Sequence, residues 1–472
     1  MVEEDPMSDD LIGRIDRHVD EHLEQYIEDL RALCRLPSVA AQGQAIDETA
    51  ELTRGLLEKY GVAARVMPTH STSSGQAGFP VVYGEASGAS GQTVLCYNHY
   101  DVQPAEPLEL WESEPFDAVE RDGKLYGRGV GDDKGHIVCR LAAIDALLAV
   151  TGGMPCGVKF LIEGEEEIGS GSLDAFIAAN TELLKADGCL LEFGGVDYDG
   201  KAQIFAGMRG DLYVELRAKT ATKDAHSGLG GSQFPNAAWR LTWALATLKG
   251  PDERILIPGW YDDVREASAR DMELLGALPD DEELIRQSYG LDGFLLGVSG
   301  LERKRRSLFE PTCTISGLSS GYQGAGSKTV LPAEAMAKVD FRLVPNQRAS
   351  ELLEKLKRHL SEQGFDDIEV IQHGGYDAAR VDPDASFVRL VADTAWDVYD
   401  RPAVISPTSG GSGPMASFVQ HLGMPIANVG IGYPDSGPHA PNEHVRIEDF
   451  VRGIKQTARV FLRMAELEKA QG

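Results

Sequence analysis

The sequence predicts an α/β fold, a mixed sheet flanked by helices, that is interrupted by a ferredoxin-like α+β domain. Two patterns lead to this prediction. Apolar strand-like segments alternate with amphipathic helical segments before residue 209 and again after residue 376, as in sheets covered on both faces. Between these parts the predicted elements follow the order β-α-β-β-α-β, the split βαβ arrangement of ferredoxin-like domains.

The predicted domain boundaries lie where this pattern changes. Residues 1–209 would form the first part of one domain, residues 210–375 an inserted second domain, and residues 376–472 the remainder of the first. Residues 251–310 are rich in charge and would be an insertion within the second domain. At 472 residues the chain is long enough for two or three domains.

The elements of the first part are read from hydrophobic periodicity. The first helix has apolar residues at close to helical spacing and stops before Leu36-Pro37. Helices are predicted over residues 9–34, 45–60 and 137–149, and strands over 63–67, 81–83, 93–97 and 158–162. Ligands of such sheets gather beyond the carboxyl ends of strands, so the loops after residues 97 and 162 are candidate sites.

The remaining elements belong to the inserted domain and to the end of the chain. In the inserted domain, strands are predicted over residues 212–218, 311–316, 336–344 and 368–373, and helices over 236–248 and 350–363. After it, helices are predicted over 385–399 and 447–469, and a strand over 403–405.

Composition excludes several functional classes. Lys and Arg total 45 against 74 Asp and Glu, a net charge of −29, so we expect neither nucleic acid nor an anionic membrane as a partner. The six cysteines are scattered without a CxxC pair and are read as reduced core residues. No secretory signal and no membrane span is visible, so we expect a cytoplasmic protein.

The most informative run is Glu163-Gly-Glu-Glu-Glu167, which follows the apolar segment 158–162. Adjacent carboxylates at the end of a buried strand repel one another, and their desolvation costs several kcal/mol per ion unless a cation neutralises them. One metal ion, or a pair of them, is the simplest neutraliser. The alternative from this run alone is a solvated acidic loop.

Other segments supply further ligand-type residues. His99-Tyr-Asp101 follows a predicted strand, although a lone His is more often a hydrogen-bonded loop residue. Gly127-Arg-Gly-Val-Gly-Asp-Asp-Lys-Gly135 places two adjacent acids among four glycines, whereas a phosphate-binding loop would present backbone N–H groups and lysine. Pro438-His-Ala-Pro-Asn-Glu-His444 adds imidazoles before the last helix.

Together these residues suit a two-metal site. His99, Asp132, Glu167 and His439, with one more acid, offer the mixed nitrogen and oxygen ligation that zinc accepts, with a carboxylate bridging two ions. Glu166 would remain free beside a ligand, positioned to deprotonate a water molecule.

The sequence that contains these motifs resembles the M20 metallopeptidases, most closely the branch of cytosolic non-specific dipeptidases and carnosinases. The resemblance spans nearly the whole chain. It rests on Tyr97–Pro104, Trp111–Phe116, Arg121–Gly129, Asp132–Gly135, Glu163–Ser172, Gly207–Gly210, Asp224–Gly228, Lys328–Pro332, Phe341–Asn346 and Gly410–Pro414.

The resemblance implies a zinc-peptidase-like catalytic domain, two Zn²⁺ ions per subunit, with Mn²⁺ or Co²⁺ as possible substitutes, and specific ligands. The implied ligands are His99, Asp132, Glu167, Glu192 and His439, with Asp132 shared between the ions. Asp101 would orient His99, and Glu166 would be the general base. The peptide bond between Asp132 and Asp133 would be cis.

The resemblance also assigns residues to substrate and assembly. His226, on the inserted lid and dimerisation domain, would reach the partner subunit's site in a homodimer and polarise the scissile carbonyl. Arg342, Thr329 and Ser412 would hold the substrate's free carboxylate, although Arg342 could instead form only a salt bridge within the lid.

The implied activity is hydrolysis of an amide bond in small peptides by zinc-activated water, as a dipeptidase or a carboxypeptidase-like enzyme. The alternative is an N-acyl amino acid deacylase or desuccinylase of the same family. Three positions depart from the dipeptidase pattern: Glu192 stands in place of Asp, Asn98 in place of Gly, and His136 in place of Pro.

Overall fold

The structure is a computed structural model that describes residues 6–69 and 78–467. Its helices are α1 (Pro6–Glu21), α2 (Leu23–Cys34), α3 (Ile46–Lys59), α4 (Lys134–Thr151), α5 (Leu173–Ala179), α6 (Thr181–Leu184), α7 (Ser227–Gly230), α8 (Ala237–Leu245), α9 (Ala269–Ala277), α10 (Glu282–Tyr289), α11 (Gly300–Phe309), α12 (Ala349–Glu362), α13 (Ser386–Tyr399), α14 (Met415–His421) and α15 (Ile447–Met464).

Its strands are β1 (Ala63–Met67), β2 (Val81–Ala86), β3 (Thr93–His99), β4 (Val119–Arg121), β5 (Lys124–Tyr126), β6 (Gly157–Glu163), β7 (Gly188–Leu191), β8 (Gly195–Val196), β9 (Ala202–Phe205), β10 (Gly207–Lys219), β11 (Ala225–His226), β12 (Thr312–Ser320), β13 (Val330–Leu331), β14 (Glu334–Leu343), β15 (Ile368–Tyr376), β16 (Ala379–Arg380), β17 (Val404–Ser406), β18 (Ser409–Ser412), β19 (Ile426–Asn428) and β20 (His444–Arg446).

A six-stranded mixed sheet forms the centre of the first domain, as predicted. Its strand order is β1-β2-β6-β3-β7-β19. Strands β6, β3, β7 and β19 are parallel neighbours, while β1, β2 and β6 pair antiparallel. The carboxyl ends of the four parallel strands therefore meet at one edge of the sheet.

Helix α4 is the central packing element behind this sheet. Nearly all its side chains from Lys134 to Leu147 are buried, on every face of the helix. It contacts β3 on one side and α1, α2 and α15 on the others. A helix that is apolar all round is stable only when it is surrounded by protein, and the outer helices provide that cover.

The second sheet confirms the predicted ferredoxin-like arrangement. Its strand order is β12-β14-β10-β15, and all three pairings are antiparallel. Residues of β14 alternate strictly, with Ala337, Val339, Phe341 and Leu343 buried. Helices α8 and α12 cover this buried face. On the opposite face, β14 carries the charged side chains of Glu334, Lys338, Asp340 and Arg342.

Several predicted boundaries were wrong. The first helix is two helices separated by a one-residue break at His22. Backbone hydrogen bonds from the His22 N–H to the His18 carbonyl (3.1 Å) and from the Tyr26 N–H to the His22 carbonyl (3.3 Å) still cross this break, and Nδ1 of His22 also contacts the His18 carbonyl. Strand β3 runs two residues further than predicted and ends at His99. Helix α15 ends at Met464; of the predicted continuation to 469, residues 468 and 469 lie outside the described residues.

Residues 251–310 fold into α9, α10 and α11, which hydrophobic periodicity did not reveal because these helices carry many charges. The division of the chain at 209/210 and 375/376 stays a prediction; β10 starts at Gly207 and β15 ends at Tyr376. Among the helices of the described residues, none is both long and apolar enough to cross a membrane.

Candidate metal centre

The carboxyl edge of the central sheet collects ligand-type residues from three adjacent strands. His99 is the last residue of β3, Glu163 is the last residue of β6, and Glu192 directly follows β7. Because β6, β3 and β7 are parallel neighbours, these positions are brought together by the strand order alone. Glu166 and Glu167 lie in the turn after β6.

Asp132 lies between two histidines from distant parts of the chain. Its Oδ1 is 3.1 Å from Nε2 of His99, and its Oδ2 is 3.0 Å from Nε2 of His439. The two oxygens of one carboxylate thus face two different imidazoles. This is the arrangement that a carboxylate shared by two metal ions requires.

A second carboxylate accompanies each imidazole. Glu192 Oε2 lies 3.7 Å from His99 Nε2, and both side chains are buried; we name these two residues the inner pair. Glu167 Oε2 lies 3.2 Å from Nε2 of His439, whose side chain is 55% exposed; we name these two the outer pair. The inner pair is thus sealed in the core, while the outer pair opens to solvent.

Asp101 connects the inner pair to the acidic turn. Its backbone oxygen lies 3.0 Å and its Oδ1 3.3 Å from Nδ1 of His99, which leaves Nε2 of the ring facing Asp132. Its two carboxylate oxygens accept hydrogen bonds from the backbone N–H groups of Glu166 and Glu167, at 3.2 and 3.0 Å. One buried carboxylate therefore orients the imidazole and the turn together.

The acidic run divides into structural and site-facing members. Glu163 accepts hydrogen bonds from the hydroxyl groups of Tyr97 at 2.6 Å and Ser170 at 2.9 Å. Glu165 accepts from backbone N–H groups and from the Ser172 hydroxyl at 2.6 Å. Neutral donors thus satisfy these two acids, and Glu166 and Glu167 remain to face the centre.

Glu166 is held through its backbone. The hydroxyl group of Tyr376, at the end of β15 in the second sheet, donates to the Glu166 carbonyl at 3.1 Å and contacts Ser170 Oγ at 3.0 Å. Within the described residues the Glu166 carboxylate forms no hydrogen bond of its own. A Cβ atom at Gly413 would lie 3.7 Å from its Oε1, which places the β18 loop beside it.

Glu443 fixes the glycine-rich loop that bears Asp132. Its Oε1 accepts hydrogen bonds from the backbone N–H groups of Gly129, Gly131 and Asp132, at 3.0–3.2 Å. Its Oε2 accepts from Arg128 at 2.6 Å, and both side chains are fully buried. Since Glu443 follows His439 by four residues, the same contact fixes the loops of both Asp132 and His439.

Negative charge dominates the electrostatics of the centre. Burial alone would lower the pKa of His99, but the charge of Glu192 and hydrogen bonds with Asp101 and Asp132 raise it well above its usual value. Hydrogen bonds with Asp132 and Glu167 raise the pKa of His439 to about 10. The histidines are thus drawn toward positive charge by an excess of carboxylates.

The carboxyl groups show the same excess. Burial raises the pKa of Glu192 well above its usual value, and the charges of Glu166, Asp133 and Asp132 add to the shift. Burial also raises the pKa of Glu166, together with the charges of Glu167 and Asp132. Cations placed among these groups would remove this cost.

The residues fit divalent metal ions. One ligand-type atom each from His99, Asp133 and Glu192 lies within 4.8 Å of the others, and the same holds for Asp132, Glu167 and His439. Glu167 Oε1 and Glu192 Oε2 are buried and have no hydrogen-bond partner among the described residues. A cation would satisfy buried carboxylate oxygens that have no hydrogen-bond partner. The nitrogen and oxygen atoms of this group are the kinds of ligand that zinc binds.

Comparison with known proteins identifies the family. The sequence model of peptidase family M20/M25/M40 matches residues 95–463. The chain belongs to this family. An M20 family metallo-carboxypeptidase from Sulfolobus solfataricus, a solved structure, is 38% identical with a TM-score of 0.88, covering 95% of this chain and 100% of that one.

Two curated relatives are dipeptidases. The Beta-Ala-His dipeptidase of Homo sapiens is 27% identical and covers 97% of this chain and 93% of its own length. The Cys-Gly metallodipeptidase of Schizosaccharomyces pombe is also 27% identical, over 93% of this chain and 95% of its own. This M20 peptidase is therefore a metal-dependent hydrolase of peptide bonds.

The residues predicted to contact substrate form two separate groups in this M20 chain. Arg342 Nη1 donates to Ser412 Oγ at 2.9 Å, which joins the second sheet to the β18 loop beside Glu166. His226 Nε2 instead lies 3.2 Å from Thr329 Oγ1, and its Nδ1 accepts from the Gly228 N–H. Within the described residues, no hydrogen bond or ion pair links His226 or Thr329 to Asp132 or to the inner and outer pairs.

Sequence reasoning missed several residues of the M20 centre. Asp133, joined to Asp132 by a cis peptide bond as predicted, lies with the inner pair. Gln103 donates to Glu167 Oε2 at 2.9 Å. Glu443 lies in the segment Pro438–His444, in which only the histidines were considered as functional residues from the sequence. For Tyr376 the sequence holds no signal, because its partner is 210 residues away.

Proposed function

We propose that this M20 peptidase cleaves small peptides with a free C-terminal carboxylate at a centre of two metal ions. The observation that supports this most directly is Asp132, whose two oxygens face His99 and His439 at 3.1 and 3.0 Å. An acid beside each imidazole completes two sets of donors around one shared carboxylate.

The inner and outer pairs, with Asp132 between them, would hold two Zn²⁺ ions, and Mn²⁺ or Co²⁺ would be tolerated by the same donors. When bound, such ions would polarise the scissile carbonyl and lower the pKa of water. The chain's own side chains supply the proton transfers and the orientation of the substrate.

Glu166 would be the general base. Its neighbours are ligands or structural acids, whereas its own carboxylate has no hydrogen-bond partner in the described part of the chain. Its raised pKa, caused by burial and like charges, suits a group that accepts a proton from the attacking water and returns it to the leaving amine. Asp101 would hold the turn on which Glu166 lies.

Arg342 and Ser412 would bind the substrate's carboxylate. They are in contact beside the loop that approaches Glu166, and a guanidinium group is suited to a carboxylate. Arg342 also contacts Asp340 at 3.2 Å, and this contact supports the alternative that Arg342 forms a salt bridge within the lid. Thr329 would join them only if the lid of another subunit delivers it.

The relatives narrow the substrate. Two are named as dipeptidases and one as a carboxypeptidase, so a dipeptide or the C-terminal residue of a short peptide is the proposed substrate. The deacylase alternative is not favoured, because none of these three relatives is named for N-acyl amino acids.

We also propose a homodimer through the lid domain, with His226 acting in the partner subunit's site. In support, an exposed apolar surface surrounds α7 and α8: Leu229 is 74%, Phe234 52%, and Trp239 and Trp243 each 56% exposed. The two indoles stack with centroids 5.7 Å apart. Apolar patches of this kind are typical of protein interfaces.

A cytoplasmic location is proposed from the six cysteines, all of which are free and buried. The net charge of −29 supports the proposal that neither nucleic acid nor an anionic membrane is a partner.

One experiment tests the proposed function. Purified protein is stripped with a chelator, reloaded with Zn²⁺, Mn²⁺ or Co²⁺, and assayed on dipeptides, tripeptides, and N-acetyl and N-succinyl amino acids, with bound metal measured in parallel. We expect two ions per chain and activity on peptides that is lost when the C-terminal carboxylate is amidated. Preference for N-acyl amino acids, or full activity with one ion, would overturn it.

A further inference from the structure

The carboxylate of Asp133 is enclosed by side chains that the proposed metal site does not include. Asn98 Nδ2 donates to its Oδ2 at 2.6 Å, and the backbone N–H of His99 donates to the same oxygen at 3.1 Å. On the other side, Nδ1 of His136 lies 2.8 Å from Oδ1. All these groups are buried, and Asn98 is fully inaccessible.

The hydrogen bonds of His136 define its tautomer. Its Nε2 accepts a hydrogen bond from the backbone N–H of Ile431 at 3.3 Å, so this nitrogen must keep a lone pair. The proton of the neutral ring is therefore on Nδ1, on the side of Asp133. The short contact departs from hydrogen-bond geometry, so it is an electrostatic attraction between the N–H dipole and the carboxylate.

Asp133 is placed to act on one half of the centre. One of its oxygens belongs with His99 and Glu192 to the buried group of ligand-type atoms within 4.8 Å of one another. It thus adds a negative charge close to the inner pair and also fixes the backbone of His99. In the described part of the chain, no hydrogen bond or ion pair joins Asn98 or His136 to the outer pair.

Two of the three departures noted in the sequence thus meet on one carboxylate. Asn98 comes from the end of β3 and His136 from the first turn of α4, and each offers Asp133 a polar hydrogen. Glycine and proline, the residues usual at these positions in the resembling dipeptidases, have no side-chain donor. Losing one donor would leave a buried charge less well satisfied, which is costly.

We propose that Asn98 and His136 are positioning residues that set the affinity of the inner pair for its divalent ion and leave that of the outer pair unchanged. The proposal rests on the two-metal function proposed above. Groups that support metal ligands in this way typically change metal affinity 10–100-fold when they are replaced.

The test is stepwise Zn²⁺ binding to chelator-stripped protein, followed by competition with a chromophoric chelator. Asn98→Ala removes one donor. His136→Gln retains an acceptor near Ile431 but places no N–H at the Nδ1 position, whereas His136→Asn retains that N–H. We expect Asn98→Ala and His136→Gln to weaken one of the two binding steps about 10–100-fold. His136→Asn should keep most of the wild-type affinity for Zn²⁺.

Two backgrounds assign the affected step. With the outer pair disabled by His439→Ala, Asn98→Ala should still weaken the remaining step. With the inner pair disabled by Glu192→Gln, it should have no effect. His359→Gln, the same change at a buried histidine in the lid, is the matched control and should alter neither step. Circular dichroism checks folding; if Asn98→Ala does not fold, the two His136 variants provide the same comparison.

The outcomes separate this inference from the proposed function. Equal weakening of both steps, no weakening, or no difference between His136→Gln and His136→Asn would overturn the inference while two-metal binding stands. A wild-type protein that binds fewer than two ions would overturn the two-metal proposal first, whatever the variants show.

Discussion

The hydroxyl group of Tyr376 donates a hydrogen bond of 3.1 Å to the backbone carbonyl of Glu166. The two residues belong to different sheets, since Tyr376 ends β15 of the lid and Glu166 follows β6 of the catalytic sheet. Any movement of the lid against the central sheet therefore acts on the backbone of the proposed base, Glu166. A cavity of about 630 Å³, lined by Ser170, Gly375 and Tyr376, adjoins this contact.

Replacing Tyr376 with Phe should lower kcat without changing metal content. The variant loses one hydrogen bond that positions the turn of Glu166, worth about 1 kcal/mol, so kcat should fall roughly fivefold while KM changes little. Steady-state kinetics and metal analysis check this. Tyr213→Phe, which removes a lid hydroxyl bonded to Ser316, is the control and should leave kcat unchanged. A kcat equal to that of the wild type would disprove the coupling.

Glu166→Gln and Glu167→Gln should have different consequences, although the residues are adjacent. The first removes the proposed proton carrier, so kcat should fall by about 10²-fold or more while both ions stay bound. The second removes a charged carboxylate, a proposed metal ligand 3.2 Å from His439, so one ion should bind more weakly. Metal content after dialysis and activity after metal is resupplied distinguish them. If Glu166→Gln lost metal yet regained activity on resupply, the two roles would be exchanged.

The stability of the metal-free protein should decrease as pH rises from about 4.5 to about 8. Burial raises the pKa of Glu163 from 4.5 to about 8, outweighing its hydrogen bonds from Tyr97 and Ser170. The folded state therefore keeps a proton that the unfolded state releases in this window, so the stabilisation present at low pH is lost as pH rises.

Glu163→Gln should remove this part of the pH dependence. Its Tm should match the wild type near pH 5 and exceed it by roughly 5 °C near pH 9. Calorimetry on chelator-treated protein measures the difference, and Glu85→Gln, at an exposed carboxylate of β2, controls for the change in net charge. Parallel Tm profiles for wild type and variant would contradict the prediction.

Mixing two inactive variants tests the assignment of His226. If His226 acts in the partner subunit's site, a dimer of one His226→Ala and one Glu166→Gln subunit has one site with both defects and one intact site. Activity should therefore reappear on mixing, up to about one quarter of the wild-type value if half the dimers are mixed. Absence of recovery despite proven subunit exchange would mean that each subunit uses its own histidine, or that the chain acts as a monomer.

Much of the fold and of the site follows from local sequence pattern. Apolar periodicity located the strands β3 and β6, and acids or imidazoles directly after them marked the edge where His99 and Glu167 lie. The glycine-rich segment indicated Asp132 as a site residue, because glycines around adjacent acids imply a tightly shaped turn. For Thr329 and Arg342 the resemblance supplied roles, but one chain alone places them in different groups.

The rest depended on packing between distant segments. Asn98 and His136 meet on Asp133 only because the start of α4 packs against the end of β3, and no periodic pattern encodes which buried amide faces which carboxylate. The break at His22 was hidden because apolar residues keep helical spacing on both sides of it. Helices α10 and α11 have largely charged sequences, which resemble loops when neighbours are not known.

The contact between Glu443 and the loop of Asp132 has a consequence for biosynthesis. A ribosome makes the glycine loop first, then the strands β10, β12, β14 and β15 of the second sheet, and Glu443 only after them. Domains generally fold as units while the chain emerges. The lid can therefore fold as a nested unit on a nascent chain whose central sheet still lacks β19 and whose helix α4 still lacks its neighbour α15. The loop that bears Asp132 would then take its final shape only after Glu443 has been made, so chains that stop before residue 443 would remain peptidase-inactive.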